Sequence, residues 1–256
     1  MRLPGAAALT LLLASPLGAE IRPDERRSDF HQMSPETRAM QTDDTANPGM
    51  LAVLDGEALW RAKAGPAGRS CADCHGDARI TMRGVAARYP AWNAARGTPV
   101  GLAGQIDICR ADRQGISAWP AESRERLAVT AYVAHQSRGM PISPPGDPEM
   151  AAARERGGRL FTARMGQLDL ACAACHDDNW GKRLGGTPIP QAHPVGYPIY
   201  RLEWQAVGSL QRRLRNCLSG VRAEPFPYDA PELIELEAFL MQRAAGLPIE
   251  TPAVRP

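Results

Sequence analysis

Cys172-Ala173-Ala174-Cys175-His176 is the stretch that decides the fold, and the same pattern stands earlier as Cys71-Ala72-Asp73-Cys74-His75. Cys-x-x-Cys-His is the attachment signal of c-type haem. The two sulfurs form thioethers with the porphyrin, and the adjacent histidine can bind the iron as its proximal ligand. The sequence therefore predicts two covalently bound haem c groups. The residues that would hold them are Cys71, Cys74 and His75 for the first haem, and Cys172, Cys175 and His176 for the second.

The two motifs lie in an internal repeat. At an offset of 101 residues, the chain from Leu59 to Asp77 matches the chain from Leu160 to Asp178 without a gap. At an offset of 107, the segment 139–142 matches the segment 246–249. Each half thus has a helix, a haem motif, a long covering segment and a final amphipathic helix. This order resembles the cytochrome c domain, so we predict a mainly α fold with two tandem cytochrome c-like domains and an extended N-terminal arm.

The predicted domain organisation follows from the repeat and from local composition. A run with three prolines and a glycine, Ile142-Ser143-Pro144-Pro145-Gly146-Asp147-Pro148, cannot continue a helix and marks the boundary between the halves. The predicted segments are a signal peptide at 1–19, a polar arm at 20–50, domain 1 at 51–142, a linker at 143–148 and domain 2 at 149–256.

Three further helices and one loop are predicted from periodicity and from proline content. The first helix has Leu51, Leu54 and Leu59 as its apolar positions. The segment 185–200, with four prolines, is predicted to be an irregular loop along the haem. The predicted helices run from Met50 to about Ala64, from Glu149 to about Ala163, and from Leu210 to Leu218.

The N-terminus has the features of a secretory signal: Arg2, the apolar segment 6–14, and the small residue Ala19 at the expected cleavage point. The apolar segment is shorter than the roughly 20 residues that span a bilayer, so we predict no stable membrane anchor. The mature protein is expected in the periplasm. A formal net charge of +2 gives no field that would favour a nucleic-acid partner. Aromatic content is only 5%, and buried porphyrins would supply the missing apolar volume.

Two cysteines remain outside the motifs. Cys109 follows Cys71 by 38 residues, and Cys217 follows Cys172 by 45 residues. Both lie in the segment where a cytochrome c chain returns across the distal face of its haem, so we interpret them as the second axial ligands of the two irons. A Cys109–Cys217 disulfide is the alternative. Other distal candidates are Met82, His135 and Met140 in domain 1, and His193 and Met241 in domain 2.

The residues before Cys217 suggest a site for an anion. Arg213 precedes Cys217 by four residues, which places both on one face of a helix. A guanidinium can hold a small sulfur oxyanion by paired hydrogen bonds. Arg212 and Arg215 are predicted to lie on a solvated face. Thiolate ligands lower the haem potential and favour sulfur chemistry over ordinary electron relay. A non-catalytic dihaem electron carrier and a dihaem peroxidase are the alternatives.

Taken together, these features resemble the SoxA family of dihaem cytochromes in bacterial thiosulfate oxidation. The resemblance rests on both haem motifs, Cys109, the segment from Arg213 to Cys217, and the arm segments Met33-Ser34-Pro35-Glu36-Thr37 and Asn47-Pro48-Gly49-Met50-Leu51. It covers essentially the whole mature chain.

The resemblance implies an L-cysteine S-thiosulfotransferase that joins thiosulfate to a cysteine of a SoxYZ-type carrier protein and releases two electrons. The implied partner is a small monohaem cytochrome of the SoxX type. Cys217 is implied as the catalytic residue and axial ligand, able to carry a persulfide. Arg213 is implied to bind thiosulfate, His176 to lie opposite Cys217, and His75 and Cys109 to ligate the first iron.

Overall fold

The computed structural model describes residues 21–256, and the predicted signal peptide at 1–19 lies outside the described residues. The described chain is mainly helical, which confirms the predicted fold class. Its helices are α1 Pro35–Thr42, α2 Met50–Arg61, α3 Cys71–His75, α4 Ala78–Thr81, α5 Leu102–Cys109, α6 Arg124–His135, α7 Pro148–Thr162, α8 Cys172–His176, α9 Leu210–Gly220 and α10 Pro231–Arg243. Its strands are β1 Ala91–Asn93, β2 Thr98–Val100, β3 Arg183–Leu184, β4 Thr187–Pro188, β5 Ile199–Arg201, β6 Ala206–Gly208 and β7 Val254–Arg255.

Each half of the chain is built on a crossed pair of helices. In the first half α2 packs against α6, and in the second α7 packs against α10. Gly56 and Gly157 lie at the two crossings, where a β-carbon would run into the backbone of the partner helix. Because glycine lacks that carbon, the helix axes come close enough to bury apolar side chains around each haem motif.

The face of α2 that packs inward differs from the predicted one. Val53, Gly56 and Trp60 are buried, whereas Leu51 is 67% exposed and Leu54 is 58% exposed. The prediction that Leu51 and Leu54 mark the apolar face of this helix was therefore wrong. The close approach of Gly56 to α6 fixes the rotation of α2, and the leucines then fall on its outer side.

The other predicted helices occur close to their expected bounds. α7 begins at Pro148, whose fixed φ suits the first turn, and the Asp147 side chain accepts a hydrogen bond from the Met150 amide. The division of the chain at 143–148 stays a prediction. The segment 185–200 is irregular apart from β4 and the start of β5, which pairs antiparallel with β6 and parallel with β7.

The N-terminal arm is more ordered than an extended segment, since it contains α1. The Asn47 side chain donates to the Pro252 carbonyl at 2.9 Å, and Gln41 accepts from the Val254 amide at 3.0 Å. Closer to the N-terminus, the Arg27 amide donates to the Gln191 side chain at 2.9 Å. The arm therefore lies along the second half of the chain and helps to hold the C-terminal strand β7 in place.

The two repeated segments 139–142 and 246–249 pair with each other. The Gly139 amide donates to the Ile249 carbonyl at 2.8 Å, and the Ile142 amide donates to the Leu247 carbonyl at 2.9 Å. Apolar side chains beside this ladder, including Ala87, Val195 and Met241, form a core between the halves. The same sequence element thus ends each half and joins it to the other.

A cavity of about 120 Å³ lies between the halves, and its largely apolar lining also includes Arg126, Gln211, Asp229 and Glu237. Arg126 is buried and pairs with Asp107 at 2.7 Å and with Asp229 at 2.9 Å. Burial raises the pKa of Glu237 to about 7, while Gln211 and Arg126 act to lower it and Asp229 to raise it. Glu237 is therefore still partly protonated near pH 7, where an ordinary glutamate is fully ionised.

We expect this carboxyl to make stability depend on pH. Between about pH 4.5 and 7, the folded state holds a proton on Glu237 that the unfolded state has released, so stability falls as pH rises through this window. Glu237→Gln removes the charged form. The gain in unfolding free energy of this variant over the parent protein should therefore be larger at pH 8 than at pH 4.5, by up to about 3 kcal/mol. Chemical denaturation at both pH values measures this, with the exposed Glu224→Gln as control. Parallel pH profiles for Glu237→Gln and the parent protein would contradict it.

Within residues 21–256, no helix is both long and apolar enough to cross a membrane.

Candidate haem and substrate sites

Both haem motifs fold as single helical turns. In α3, the Ser70 side chain accepts from the Asp73 amide at 3.1 Å and the Asp73 carboxylate accepts from the Ser70 amide at 2.8 Å. This capping box fixes the start of the turn. α8 has the same length but begins after Ala171 without a side-chain cap. One helical turn places the two cysteines of each motif on neighbouring positions, as thioether attachment requires.

The first motif borders a largely apolar cavity of about 540 Å³. Cys71, Cys74, His75 and Cys109 all line it. Apolar walls, two cysteines on one helical turn and two axial-type donors suit a covalently attached haem. The residues present therefore fit the cofactor that the motif predicts.

The second motif borders a narrower cavity of about 140 Å³, which His176 and Cys217 line together. The Nδ1 atom of His176 lies 2.7 Å from the Pro190 carbonyl oxygen, which orients the ring and leaves Nε2 available for iron. Cys172 packs in the adjacent core with Phe161 and Leu236. This donor set also fits a c-type haem, and the roles of His176 and Cys217 as iron ligands stay predictions.

An aromatic ring packs near each motif histidine, at matching positions of the repeat. The ring centroids of Trp60 and His75 are 5.7 Å apart, and those of Phe161 and His176 are 6.4 Å apart. Trp60 also donates from Nε1 to the Gly76 carbonyl at 3.0 Å. These rings are among the side chains that hold the motif turns against the helix pairs.

The two remaining cysteines occupy equivalent positions in the fold. α5 begins at Leu102 and ends at Cys109, and α9 begins at Leu210 and carries Cys217, so both cysteines fall on the eighth residue of their helix. Each helix follows a small antiparallel hairpin, β1–β2 or β5–β6. No disulfide joins the two cysteines.

Of the other distal candidates, only two line a motif cavity. Met82 lines the first cavity and His193 the second, whereas His135, Met140 and Met241 line neither. Met82 and His193 have no counterparts of the same type in the opposite half, while Cys109 and Cys217 are each other's counterparts. The symmetry of the repeat therefore favours the two cysteines, and the ligand assignment stays a prediction.

Arg213 lines the same cavity as Cys217. Within residues 21–256, its guanidinium has no hydrogen bond or ion pair to another side chain. Arg255, in the same cavity, is by contrast paired with Glu250 at 2.7 Å and with Asp29 at 3.4 Å. Arg213 is therefore a half-buried cation available to an anionic ligand beside the Cys217 sulfur.

The two neighbouring arginines do not lie on a solvated face, so that prediction was wrong. The Arg212 guanidinium stacks 4.2 Å from the centroid of the Trp204 ring. Arg215 stacks at 4.5 Å over Tyr228 and donates to the Phe226 carbonyl. Both are half-buried, because loops that sequence periodicity does not describe fold back over this helix.

Two arginines at or near the second cavity, Arg201 and Arg243, were not predicted from the sequence, whereas His193 was among the predicted distal candidates. Arg201 reaches it from β5, and burial and the nearby charge of Arg213 lower the pKa of Arg201. Burial also lowers the pKa of His193 to about 4, and its Nδ1 atom lies 2.8 Å from the Arg27 carbonyl oxygen. Arg243 donates to the His176 carbonyl at 3.3 Å and anchors the second motif. The equivalence of the two hairpins is the only signal that could have identified Arg201.

Comparison with known proteins gives a consistent result. The family described as "SoxA/TsdA, cytochrome c domain" matches residues 55–142 and 156–249. The L-cysteine S-thiosulfotransferase subunit SoxA of Pseudaminobacter salicylatoxidans is 40% identical over 91% of this chain and 82% of its own length. The SoxA subunit of Rhodovulum sulfidophilum is 34% identical over 91% of this chain and 81% of its own length.

A solved structure described as "Crystal structure of SoxXA from P. pantotrophus" superposes with a TM-score of 0.86. It is 31% identical and covers 90% of this chain and 86% of that chain. Two matched cytochrome c segments and this superposition confirm the prediction of two tandem cytochrome c-like domains. A cytochrome c domain implies covalently bound haem c.

Proposed function

The chain belongs to the SoxA/TsdA cytochrome c family, and from this premise we propose that it acts as an L-cysteine S-thiosulfotransferase in thiosulfate oxidation. The single observation that carries the proposal is one cavity lined by His176, Cys217 and Arg213. It combines a sulfur nucleophile with a cation that has no partner in the described chain. An electron carrier or a peroxidase needs neither feature.

The cofactors of the proposed enzyme are two haem c groups. Cys71 and Cys74 would hold the first and Cys172 and Cys175 the second, with His75 and Cys109, and His176 and Cys217, as the axial pairs. When bound, the haems supply the acceptors for electrons released in the reaction. The first cavity has no arginine at the position of Arg213, where Gln105 stands, so we assign substrate chemistry to the second cavity alone.

The proposed reaction joins thiosulfate to a carrier cysteine in two steps. In the first, a bond forms between Cys217 Sγ and the outer sulfur of thiosulfate, which gives a Cys217 S-thiosulfonate and releases two electrons. In the second, the carrier thiolate attacks that outer sulfur, the bond to Cys217 breaks, and the Cys217 thiolate is restored. The sum is one thiosulfate and one carrier thiol converted to a carrier cysteine S-thiosulfonate, one proton and two electrons.

Arg213 binds and orients the substrate in this scheme. Its guanidinium would hold the sulfonate oxygens by paired hydrogen bonds and direct the outer sulfur towards Cys217. The half-buried setting strengthens this attraction relative to water. His176, oriented by Pro190, would hold the opposite axial position.

The proposed partners are a SoxX-type monohaem cytochrome, which receives electrons, and a SoxYZ-type carrier, which supplies the cysteine. The relative from Paracoccus pantotrophus is solved as SoxXA, which supports the first of these. The predicted signal at 1–19 supports a periplasmic location.

The test of this function is conjugation itself. The purified complex with a SoxX-type partner is mixed with thiosulfate and a carrier protein, and the carrier mass and haem reduction are followed together. We expect the carrier to gain one thiosulfonate group for every two electrons transferred. Haem reduction without a change in carrier mass would show that the protein acts only as an electron carrier.

Arg213→Gln should weaken substrate binding more than it slows chemistry. The variant keeps hydrogen-bond donors but loses the charge and the guanidinium fork, so we expect the KM for thiosulfate to rise about tenfold to hundredfold. Steady-state kinetics at saturating carrier measure the effect, with the exposed Arg222→Gln as control. An unchanged KM would remove Arg213 from the substrate site.

A further inference from the structure

The two halves of the chain place corresponding side chains beside their second cysteine. β1, β2 and α5 in the first half begin at Ala91, Thr98 and Leu102. β5, β6 and α9 in the second half begin at Ile199, Ala206 and Leu210, which is a constant shift of 108 residues. With this shift, the last residue of β1 corresponds to the last residue of β5, and Cys109 corresponds to Cys217. The resulting pairs of positions are Asn93 with Arg201, and Gln105 with Arg213.

In the first half, these two positions touch. The Asn93 side-chain amide donates to the Gln105 side-chain oxygen at 2.9 Å. Gln105 in turn donates to the Cys109 sulfur at 3.5 Å. The hairpin and the helix therefore direct these two side chains towards each other, next to the cysteine. The two neutral amide side chains there hydrogen-bond each other and need no ligand between them.

In the second half, both positions carry a guanidinium, and both arginines line the cavity that contains Cys217. Two guanidinium groups cannot hydrogen-bond each other, because each has only donors. The Arg201 side chain is 11% exposed, and its Nε atom forms an ion pair with the Glu203 carboxylate at 2.9 Å that lacks hydrogen-bond geometry. Arg213 has no acceptor among the described side chains. Both guanidinium groups are half-buried and have no hydrogen bond to a described side chain, so an anion bound in their shared cavity would satisfy donors of both.

We propose that Arg201 is a second substrate-binding residue, which with Arg213 forms a clamp for the sulfonate end of thiosulfate. This proposal rests on the proposed function and assigns a further residue to the same site. Guanidinium forks from a strand and from a helix approach the sulfonate oxygens from two directions, which leaves the outer sulfur free to face Cys217. The first half, with its amide pair, has no such clamp.

The test measures thiosulfate binding separately from turnover. Equilibrium dialysis with radiolabelled thiosulfate is applied to the haem-loaded complex of the parent, Arg201→Asn and Arg201→Lys. Arg201→Asn gives the second half the residue found in the first, and we expect its Kd for thiosulfate to rise at least tenfold. Arg201→Lys keeps a charge but not the guanidinium fork, and its Kd for thiosulfate should rise less than that of Arg201→Asn. The control is Asn93→Ala, the equivalent position of the first half, with a Kd within about twofold of the parent.

Sulfate and a double variant provide further readouts. Sulfate presents similar oxygens, so it should displace labelled thiosulfate from the parent protein. In a cycle with Arg213→Gln, two residues that hold one anion should show effects that are not additive. Unchanged haem spectra in each variant separate a loss of binding from a loss of structure, and if Arg201→Asn fails this check, Arg201→Lys carries the comparison.

The possible results distinguish this proposal from the function on which it rests. Binding that is lost in Arg201→Asn and partly kept in Arg201→Lys supports the clamp. Parental binding in both Arg201 variants, or no thiosulfate binding by the parent, overturns it. A parent that binds thiosulfate through Arg201 but does not conjugate it to the carrier leaves the clamp standing and overturns the proposed function.

Discussion

Cys217→Ala is expected to abolish thiosulfate conjugation while both haems stay covalently attached. The thioether cysteines of the second haem lie on α8, whereas Cys217 lies on α9, so the substitution removes the nucleophile without touching the attachment points. Without that sulfur, the first step cannot form its bond to the outer sulfur of thiosulfate. The second step then has no Cys217 S-thiosulfonate for the carrier thiolate to attack. We expect a loss on the order of 10³-fold or more.

Three measurements on this variant separate the outcomes. The intact mass should still report two haems, the EPR signal of the second ferric haem should lose its thiolate character, and conjugation of the carrier should stop. Ser219→Ala, an exposed change on the same helix, serves as the control and should keep the activity of the parent protein. Parental activity in Cys217→Ala would rule out this cysteine as the catalytic residue.

The haem motifs and the repeat were predictable from sequence because their chemistry is local. Five consecutive residues carry the attachment signal, and one helical turn is enough to place them. The correspondence of Cys109 with Cys217 was also predicted, because each lies in the segment of its half where a cytochrome c chain returns across its haem. The structure then places each cysteine on the eighth residue of its helix. Of these two helices, α9 lies close to its predicted bounds.

The rotation of α2 and the partners of the arginines were not predictable, because they depend on contacts between distant segments. α2 carries apolar residues on several sides, so periodicity alone could not choose between the face of Leu54 and the face of Val53. The approach of Gly56 to α6 makes that choice. Arg201 lies twelve positions before Arg213, and only the turn of the β5–β6 hairpin brings it back to the same cavity.

Gly56→Ala and Gly157→Ala are expected to cause the largest losses of stability. A β-carbon at Gly56 would lie 2.6 Å from the Tyr132 β-carbon and would also overlap the Ala128 carbonyl of α6. A β-carbon at Gly157 would lie 2.9 Å from the Phe239 β-carbon and would overlap the Glu235 carbonyl of α10. These overlaps can be removed only if the two helices of the pair move apart, which opens the core around each motif. We expect each variant to lose about 3 kcal/mol of unfolding free energy.

Gly104→Ala provides the matched control, because Gly104 lies within α5 and a β-carbon there would meet nothing within 4 Å. It should change stability by no more than about 1 kcal/mol, and in the favourable direction, since alanine has the higher helix propensity. Chemical denaturation followed by circular dichroism compares the three variants with the parent. Because Gly56 and Gly157 hold separate helix pairs, each should destabilise mainly its own half, and the absorption of the corresponding haem should change first. Equal stability of Gly56→Ala and Gly104→Ala would mean that α2 and α6 are not held at the distance described here.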